Sequence, residues 1–185
     1  MPDPLFFTLD ISLVLLPYAF ICASRKLNPL RIDSVKAFLA DLCLKPEISK
    51  KAVFQALFLV LALLLFSSAL SFGLELAGLN DLEKVDDAIS GISSRPFFLA
   101  YVLLVAVPAE EIFFRGFLVK RTGAVMSSVL FGLAHIGFGS LAEVLGAFVL
   151  GLVLAKAFER NQNLFPNIFA HMLYNAGVVL LAVVS

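Results

Sequence analysis

The stretch AVPAEEIFFRGFLV, Ala106–Val119, places charged side chains inside an otherwise apolar run. The charged residues are Glu110, Glu111 and Arg115. On insertion scales, an ionisable side chain at the centre of a bilayer costs about 3 kcal/mol. These side chains must therefore contact one another, or water, inside a helical bundle. The stretch predicts a membrane helix with an internal polar site.

The composition of the whole chain agrees with a membrane protein. Of its 185 residues, 61% are hydrophobic, and the mean hydropathy is +0.98. A soluble domain is only about half apolar, so we expect an integral membrane protein surrounded by membrane lipid. The net charge is zero and there is no long basic tract, which argues against a nucleic-acid partner. The two cysteines, Cys22 and Cys43, form no metal-binding or redox motif.

The hydrophobic runs predict an all-α polytopic membrane bundle. A bilayer core of about 30 Å requires roughly 20 apolar residues per helix. About six transmembrane helices are predicted, at 5–24, 53–76, 97–119, 124–139, 141–158 and 164–184. The sequence GFGS, Gly137–Ser140, predicts a tight turn between the fourth and fifth. The first run is long and has no basic region before it, so we expect a retained span, not a signal peptide.

Loop charges predict the orientation of these helices. Residues 25–51 hold seven lysines and arginines, whereas the loop 80–96 is mainly acidic. The other basic pairs are Lys120 with Arg121 and Lys156 with Arg160. All basic clusters fall on one side if both termini face outward, and we place that side in the cytoplasm. The segment SVKAFLADLCL, 34–44, has the apolar spacing of an amphipathic helix lying on the membrane surface.

Helix geometry separates the two adjacent acids. Glu111 and Arg115 are four residues apart, the favourable order for an ion pair on one helix face. Glu110 points about 100° away around the helix, so Arg115 does not neutralise it directly. Pro108 removes a backbone donor and is expected to disturb the helix at this depth.

Two later helices carry the only histidines, each with a partner four residues away. Phe131 precedes His135, and His171 precedes Asn175. At about 1.5 Å per residue from the basic side, Glu110 and these three polar residues lie about 11 to 17 Å deep. Small residues such as Gly132 allow close helix packing. We therefore predict one polar site that opens toward the cytoplasm.

The residue types at this site are those of a peptide hydrolase. Glu110 suits a general base acting on water, and His135 can help orient or deprotonate that water. His171 and Asn175 could donate hydrogen bonds to the oxyanion of a tetrahedral intermediate. The sequence contains no HExxH zinc motif, no GxSxG-like serine in a span and no pair of intramembrane aspartates.

Three ordered motifs in successive hydrophobic spans carry a family resemblance. EEIFFRG fits EExxxR, FGLAH fits FxxxH and HMLYN fits HxxxN. The chain resembles the CPBP family (CAAX protease and bacteriocin-processing, also called Abi) of glutamate-type intramembrane proteases. The resemblance implies that Glu110 and His135 activate the hydrolytic water and that His171 and Asn175 form the oxyanion hole. It implies supporting roles for Glu111, Arg115 and Phe131.

The predicted spans and loop charges, together with the resemblance, divide the chain into two parts. Residues 1–96 are expected to form two transmembrane helices with a basic cytoplasmic loop and an acidic outer loop. Residues 97–185 are expected to form a CPBP-like catalytic core of about four helices within the same membrane domain. We expect a multi-pass protein of a prokaryotic plasma membrane. Its substrate would be a peptide or membrane-anchored protein: a prenylated CAAX tail, a bacteriocin leader or a C-terminal sorting tail.

Some alternatives remain open at this point. We expect no cofactor, but members of the family have also been described as metalloproteases. Glu110, His135 and His171 could together bind a divalent ion such as zinc. A proton-coupled transporter component would also use intramembrane carboxylates and histidines. A catalytically silent membrane adaptor or immunity protein built on the protease fold is a further alternative.

Overall fold

The computed structural model describes residues 4–44, 49–85 and 96–184, and these contain seven helices and no strand. Four of the seven are α1 Pro4–Ser24, α2 Ile32–Asp41, α3 Lys50–Leu76 and α6 Leu141–Asn161. α4 covers 96–119, α5 is Lys120–Ala134 and α7 is Phe165–Val184. The predicted all-α membrane bundle is confirmed, and a helix, α2, lies in the segment predicted to be amphipathic.

Three helical stretches among the described residues are long and apolar enough to cross a membrane. They are Lys50–Leu76, Pro96–Phe138 and Leu141–Asn161. Two shorter apolar helices, Thr8–Ser24 and Phe165–Leu181, coincide with the first and last predicted spans. The stretch Pro96–Phe138 combines two predicted spans that no loop separates.

The joint within that stretch is Gly123. Its φ of 81° and ψ of 166° interrupt the helix between α4 and α5. This backbone conformation is open essentially to glycine alone, which explains why a single residue replaces a loop. α5 then ends earlier than predicted, at Ala134, and a 3₁₀ turn follows at Ile136–Phe138. The turn predicted at 137–140 is present, with Gly139 at a φ of 67°.

The helix α4 departs from α-helical geometry around its proline. Its α-helical pieces, Pro96–Tyr101 and Val107–Glu110, alternate with π-helical pieces, Val102–Ala106 and Glu111–Val119. Pro108 has no N–H to donate to a carbonyl one turn earlier, so the regular ladder cannot continue through it. The predicted disturbance is therefore present as π turns, a form that is frequent at functional sites.

The described basic loops lie at one end of the bundle, as predicted. Asp41, at the end of α2, accepts from Arg25 at 2.7 Å and from Arg121 at 3.2 Å. Lys120 also donates to the Asp41 backbone carbonyl. Near the start of α3, Gln55 donates to Asn161 at the end of α6 at 2.9 Å. We call this the basic end. The predicted loop charges at Lys45, Asp86, Asp87 and Arg95 lie outside the described residues.

The opposite end is closed by an aspartate in the segment after α3. Asp81 accepts from the Ser140 hydroxyl at 2.7 Å and from the backbone N–H groups of Leu141 and Ala142 at 3.0 Å each. These donors form the first turn of α6, where the helix dipole also favours an anion. The hydrogen bonds from Ala142, Ser140 and Leu141 hold the pKa of Asp81 well below its usual range.

The lowered pKa of Asp81 predicts an acid dependence of stability. The unfolded chain takes up this proton at a higher pH than the folded chain does. The stabilisation is therefore complete above about pH 5, since a free Asp has a pKa of about 3.9, and it is lost as the pH falls. We expect the melting temperature in detergent to fall less between pH 6 and pH 3 in Asp81→Asn than in the wild type. Equal slopes would contradict this assignment.

Close packing of α5 on α6 depends on Gly132. A Cβ at this position would lie 2.9 Å from the Val144 carbonyl oxygen and 3.0 Å from the Cβ of Phe148. We expect Gly132→Ala to destabilise the bundle by about 1 to 3 kcal/mol, because the backbone of α6 must move. Gly146→Ala on the facing helix is the control, since its Cβ would meet nothing within 4 Å. Denaturation in mixed micelles measures both, and equal stability of the two variants would refute the packing argument.

Candidate active site

The centre of the site is a buried ion pair within α4. Arg115 Nη1 lies 2.9 Å from Glu111 Oε1, and the two side chains are 1% and 0% exposed. The Arg115 guanidinium also lies over the Phe131 ring of α5, with its Cζ 4.0 Å from the ring centroid. A Cβ on Gly151 of α6 would come within 3.0 Å of Phe131, so this glycine leaves room for the stack. The predicted ion pair is present and connects α4 to α5.

His171 joins this pair from α7. Its Nδ1 lies 2.9 Å from Glu111 Oε1, and the imidazole is buried. A carboxylate that pairs with Arg115 only accepts hydrogen bonds, so Nδ1 of His171 carries the hydrogen and donates it. The Nε2 atom is then left for other interactions. The ring also packs edge-on against Phe131, with centroids 6.0 Å apart.

His135 lies at the C-terminal end of α5, where the backbone leaves helical geometry. Its Nδ1 is 2.8 Å from the Phe131 carbonyl oxygen, which can only accept, so Nδ1 carries the hydrogen. In the neutral ring, Nε2 is then an acceptor. The imidazole packs against the Phe131 ring at 4.6 Å and stacks on Phe138 at 5.9 Å between centroids. Both histidines therefore contact the same phenyl ring.

Glu110 and Asn175 differ from these residues in the interactions of their side chains. Both are half-buried, and neither makes a side-chain hydrogen bond or ion pair within the described parts of the chain. The structure thus places His135 and His171 on the same phenyl ring beside the buried pair, while Glu110 precedes Glu111 directly on α4. Asn175 lies one helical turn beyond His171 on α7.

The sequence motifs did not include one buried residue that positions α7. Asn167 is 0% exposed, and its Nδ2 donates to the Leu154 carbonyl of α6 at 2.8 Å. This bond joins α7 to α6 one turn before His171. A signal was present, because Asn167, His171 and Asn175 repeat at intervals of four residues on one helix face.

The arrangement bears on the zinc alternative. Among the residues that the structure describes, no group of three or more His, Cys, Asp or Glu side chains could hold a metal ion. Glu110, His135 and His171 therefore do not form a ligand cluster as they are placed. Each imidazole already uses Nδ1, one for a backbone carbonyl and one for Glu111. A site that needs no cofactor stays a prediction.

Fold and site together define a class: a polytopic helical membrane protein with a carboxylate–histidine network inside its bundle. Residues 92–177 match the family model described as type II CAAX prenyl endopeptidase Rce1-like. This segment includes all seven residues predicted for the site, and the match supports the predicted resemblance to the CPBP family of CAAX-type proteases. The match indicates a protease, that is, a peptide hydrolase, and together with the three long apolar helical stretches it indicates an integral membrane protein. No curated protein and no solved structure gives a significant match.

Removing one partner of the buried pair tests its structural importance. We expect Arg115→Met to destabilise the bundle by about 3 to 5 kcal/mol, because the Glu111 carboxylate then lacks its buried cation. The control is Lys156→Met, which breaks an exposed 2.8 Å pair with Glu159. Exposed pairs contribute no more than about 1 kcal/mol. Denaturant titration in micelles measures both variants. A loss for Arg115→Met no larger than that of the control would contradict the expectation.

Proposed function

We propose that this protein hydrolyses a peptide bond of a membrane-anchored protein or peptide, with Glu110 as the general base. The observation that carries the proposal is the contrast between adjacent acids. Glu111 is fully buried and bound by Arg115 and His171, whereas Glu110 makes no hydrogen bond or ion pair among the described residues. A base must be free to accept a proton, and Glu110 is the acid of this pair that meets that condition.

The hydrolytic water would lie between Glu110 and His135. Because Nδ1 of His135 donates to the Phe131 carbonyl, the neutral ring offers the Nε2 lone pair. One hydrogen of the water is donated to this lone pair and the other to Glu110. Hydrogen bonds to these two acceptors would fix the direction of the water's lone pair. Such orientation of a nucleophile accelerates its attack.

His171 and Asn175 would stabilise the developing negative charge. Nδ1 of His171 is held by Glu111, which leaves Nε2 to donate to an oxyanion when the ring carries both hydrogens. The Asn175 amide supplies a second N–H from the next turn of α7. Glu111, Arg115 and Phe131 act on the reaction only through His171 and His135, so they are positioning residues.

The proposed reaction proceeds in two steps. In the first, the water oxygen bonds to the scissile carbonyl carbon while Glu110 takes its proton. The carbonyl oxygen becomes an oxyanion bound by His171 and Asn175. In the second step, the carbon–nitrogen bond breaks as Glu110 passes the proton to the leaving amine. The products are an amine and a carboxylic acid, which keeps the second water hydrogen until it ionises, and no covalent enzyme intermediate forms.

The distribution of lysine and arginine and the matched family description support a proposal for the orientation and the substrate. We infer that the basic end faces the cytoplasm of a prokaryotic cell, since lysine and arginine loops are retained on that side. Lipid surrounds the bundle, and the substrate reaches the site from the membrane as an anchored chain. The family description names CAAX prenyl endopeptidases, so a prenylated tail is the substrate class favoured here.

A comparison of cellular membranes tests the proposal with whatever substrates those membranes contain. We expect membranes with the wild type to contain new peptide termini, detected by mass spectrometry, that fall at least about 100-fold in Glu110→Gln. Glu83→Gln is the control, because it removes the same charge from an exposed acid outside the site. Chelation of divalent ions during the assay should leave the termini unchanged.

Two results would count against the proposal. New termini that persist undiminished in Glu110→Gln would reject Glu110 as the base. Their loss on chelation, with recovery on adding zinc, would replace the cofactor-free mechanism by a metal-dependent one. Folding of each variant is checked by its melting temperature, so that loss of activity is not confused with loss of structure.

A further inference from the structure

A segment outside the family match contacts the site's periphery. Asp81 follows α3 and accepts from the Ser140 hydroxyl and the backbone N–H groups of Leu141 and Ala142. Lys84 of the same segment donates to the Gly139 carbonyl at 3.0 Å. Ser140 is only 2% exposed, so its hydrogen bond to Asp81 lies in a buried environment at the start of α6. Four hydrogen bonds thus join the segment after α3 to the end of the α5–α6 connection and to the first turn of α6.

That connection begins at His135. The last α-helical residue of α5 is Ala134, so the placement of His135 depends on the turn after it as well as on the helix before it. The Phe138 N–H donates to the His135 carbonyl at 3.1 Å, and the Phe138 ring stacks on the imidazole. Residues 136–140 therefore form a short, hydrogen-bonded link between the imidazole and the clamped Ser140.

Gly139 lies near the end of this link that is farther from His135, where Lys84 and Asp81 bind it. Gly139 has a φ of 67°, and its carbonyl is the one that Lys84 binds. A turn that combines one 3₁₀ step with a left-handed glycine has several competing conformations in an unrestrained chain. The contacts of Asp81 with Ser140, Leu141 and Ala142, and of Lys84 with Gly139, hold the far end of this turn.

We propose that Asp81 is a positioning residue for His135: it holds the turn 136–140 so that the imidazole stays on Phe131 with its Nε2 free. The inference rests on the proposed function only in treating His135 as a site residue. Asp81 lies outside residues 92–177 and outside the three sequence motifs. It touches no reacting atom and acts through the turn.

The two histidines allow a direct test, since their imidazole nitrogens give separate signals in a histidine ¹⁵N spectrum of the full chain in micelles. Asp81→Asn replaces one acceptor oxygen by an amide that opposes the donors of Ser140–Ala142. We expect it to move the His135 resonances and to leave those of His171 in place. The control is Glu83→Gln, which removes an equal charge from an acid that makes no hydrogen bond or ion pair within the described residues.

A second variant guards against a folding defect in the first. Ser140→Ala removes the 2.7 Å bond to Asp81 and should move the same His135 resonances by a smaller amount. His135 resonances unchanged in both variants would overturn the proposal. Equal displacement of both histidines would also overturn it, because that result indicates general loosening of the bundle. This readout involves no proteolysis, so it fails independently of the cleavage assay.

Discussion

The Glu111–Arg115 ion pair is the interaction on which the rest of the site depends. Two full charges buried in a membrane bundle are tolerated only when each has close partners. Arg115 satisfies this condition with Glu111 and the Phe131 ring, and Glu111 adds His171. One pair thus requires helices α4, α5 and α7 to meet at one level. The main effect of the pair is to fix the positions of α4, α5 and α7 relative to one another. Its net contribution to the free energy of unfolding is less important.

This requirement explains how adjacent acids come to have different tasks. Consecutive helical residues point about 100° apart, so the ion pair and hydrogen bond of Glu111 do not include Glu110. A single acid could not both hold His171 and remain free to accept a proton. The π-helical turn that begins at Glu111 lies at the boundary between the two carboxylates. The double glutamate therefore separates structural and chemical functions within two positions.

Local periodicity explains what the sequence could predict. The four-residue interval of Glu111 and Arg115 predicts their ion pair, and the glycines of GFGS predict the turn before α6. The partner of His171 could not be read in this way. Its nearest motif residue is Asn175 on the same helix, yet its bond is to Glu111, 60 residues earlier. Periodicity describes one helix at a time, whereas this contact depends on how two helices pack.

Two further features were hidden for the same physical reason. The apolar run 124–139 continues past Ala134, so hydropathy alone extends α5 beyond the point where the backbone turns. Asp81 resembles any loop acid in the sequence, because its donors lie 59 to 61 residues away. Gly123 gives a comparable case, since one glycine is enough to redirect a helix without a recognisable loop. Long-range contacts and single unusual backbone conformations do not produce a periodic pattern in the sequence.

The contact between Glu111 and His171 is the most direct test of this account. Solid-state NMR on the full chain in lipid bilayers, labelled with ¹³C in glutamate and ¹⁵N in histidine, measures carboxylate–imidazole proximity. We predict one short contact, corresponding to the 2.9 Å separation of Glu111 Oε1 and His171 Nδ1, that Glu111→Gln alters and Glu110→Gln preserves. A spectrum with no carboxylate close to either imidazole would contradict it, as would a contact that depends on Glu110.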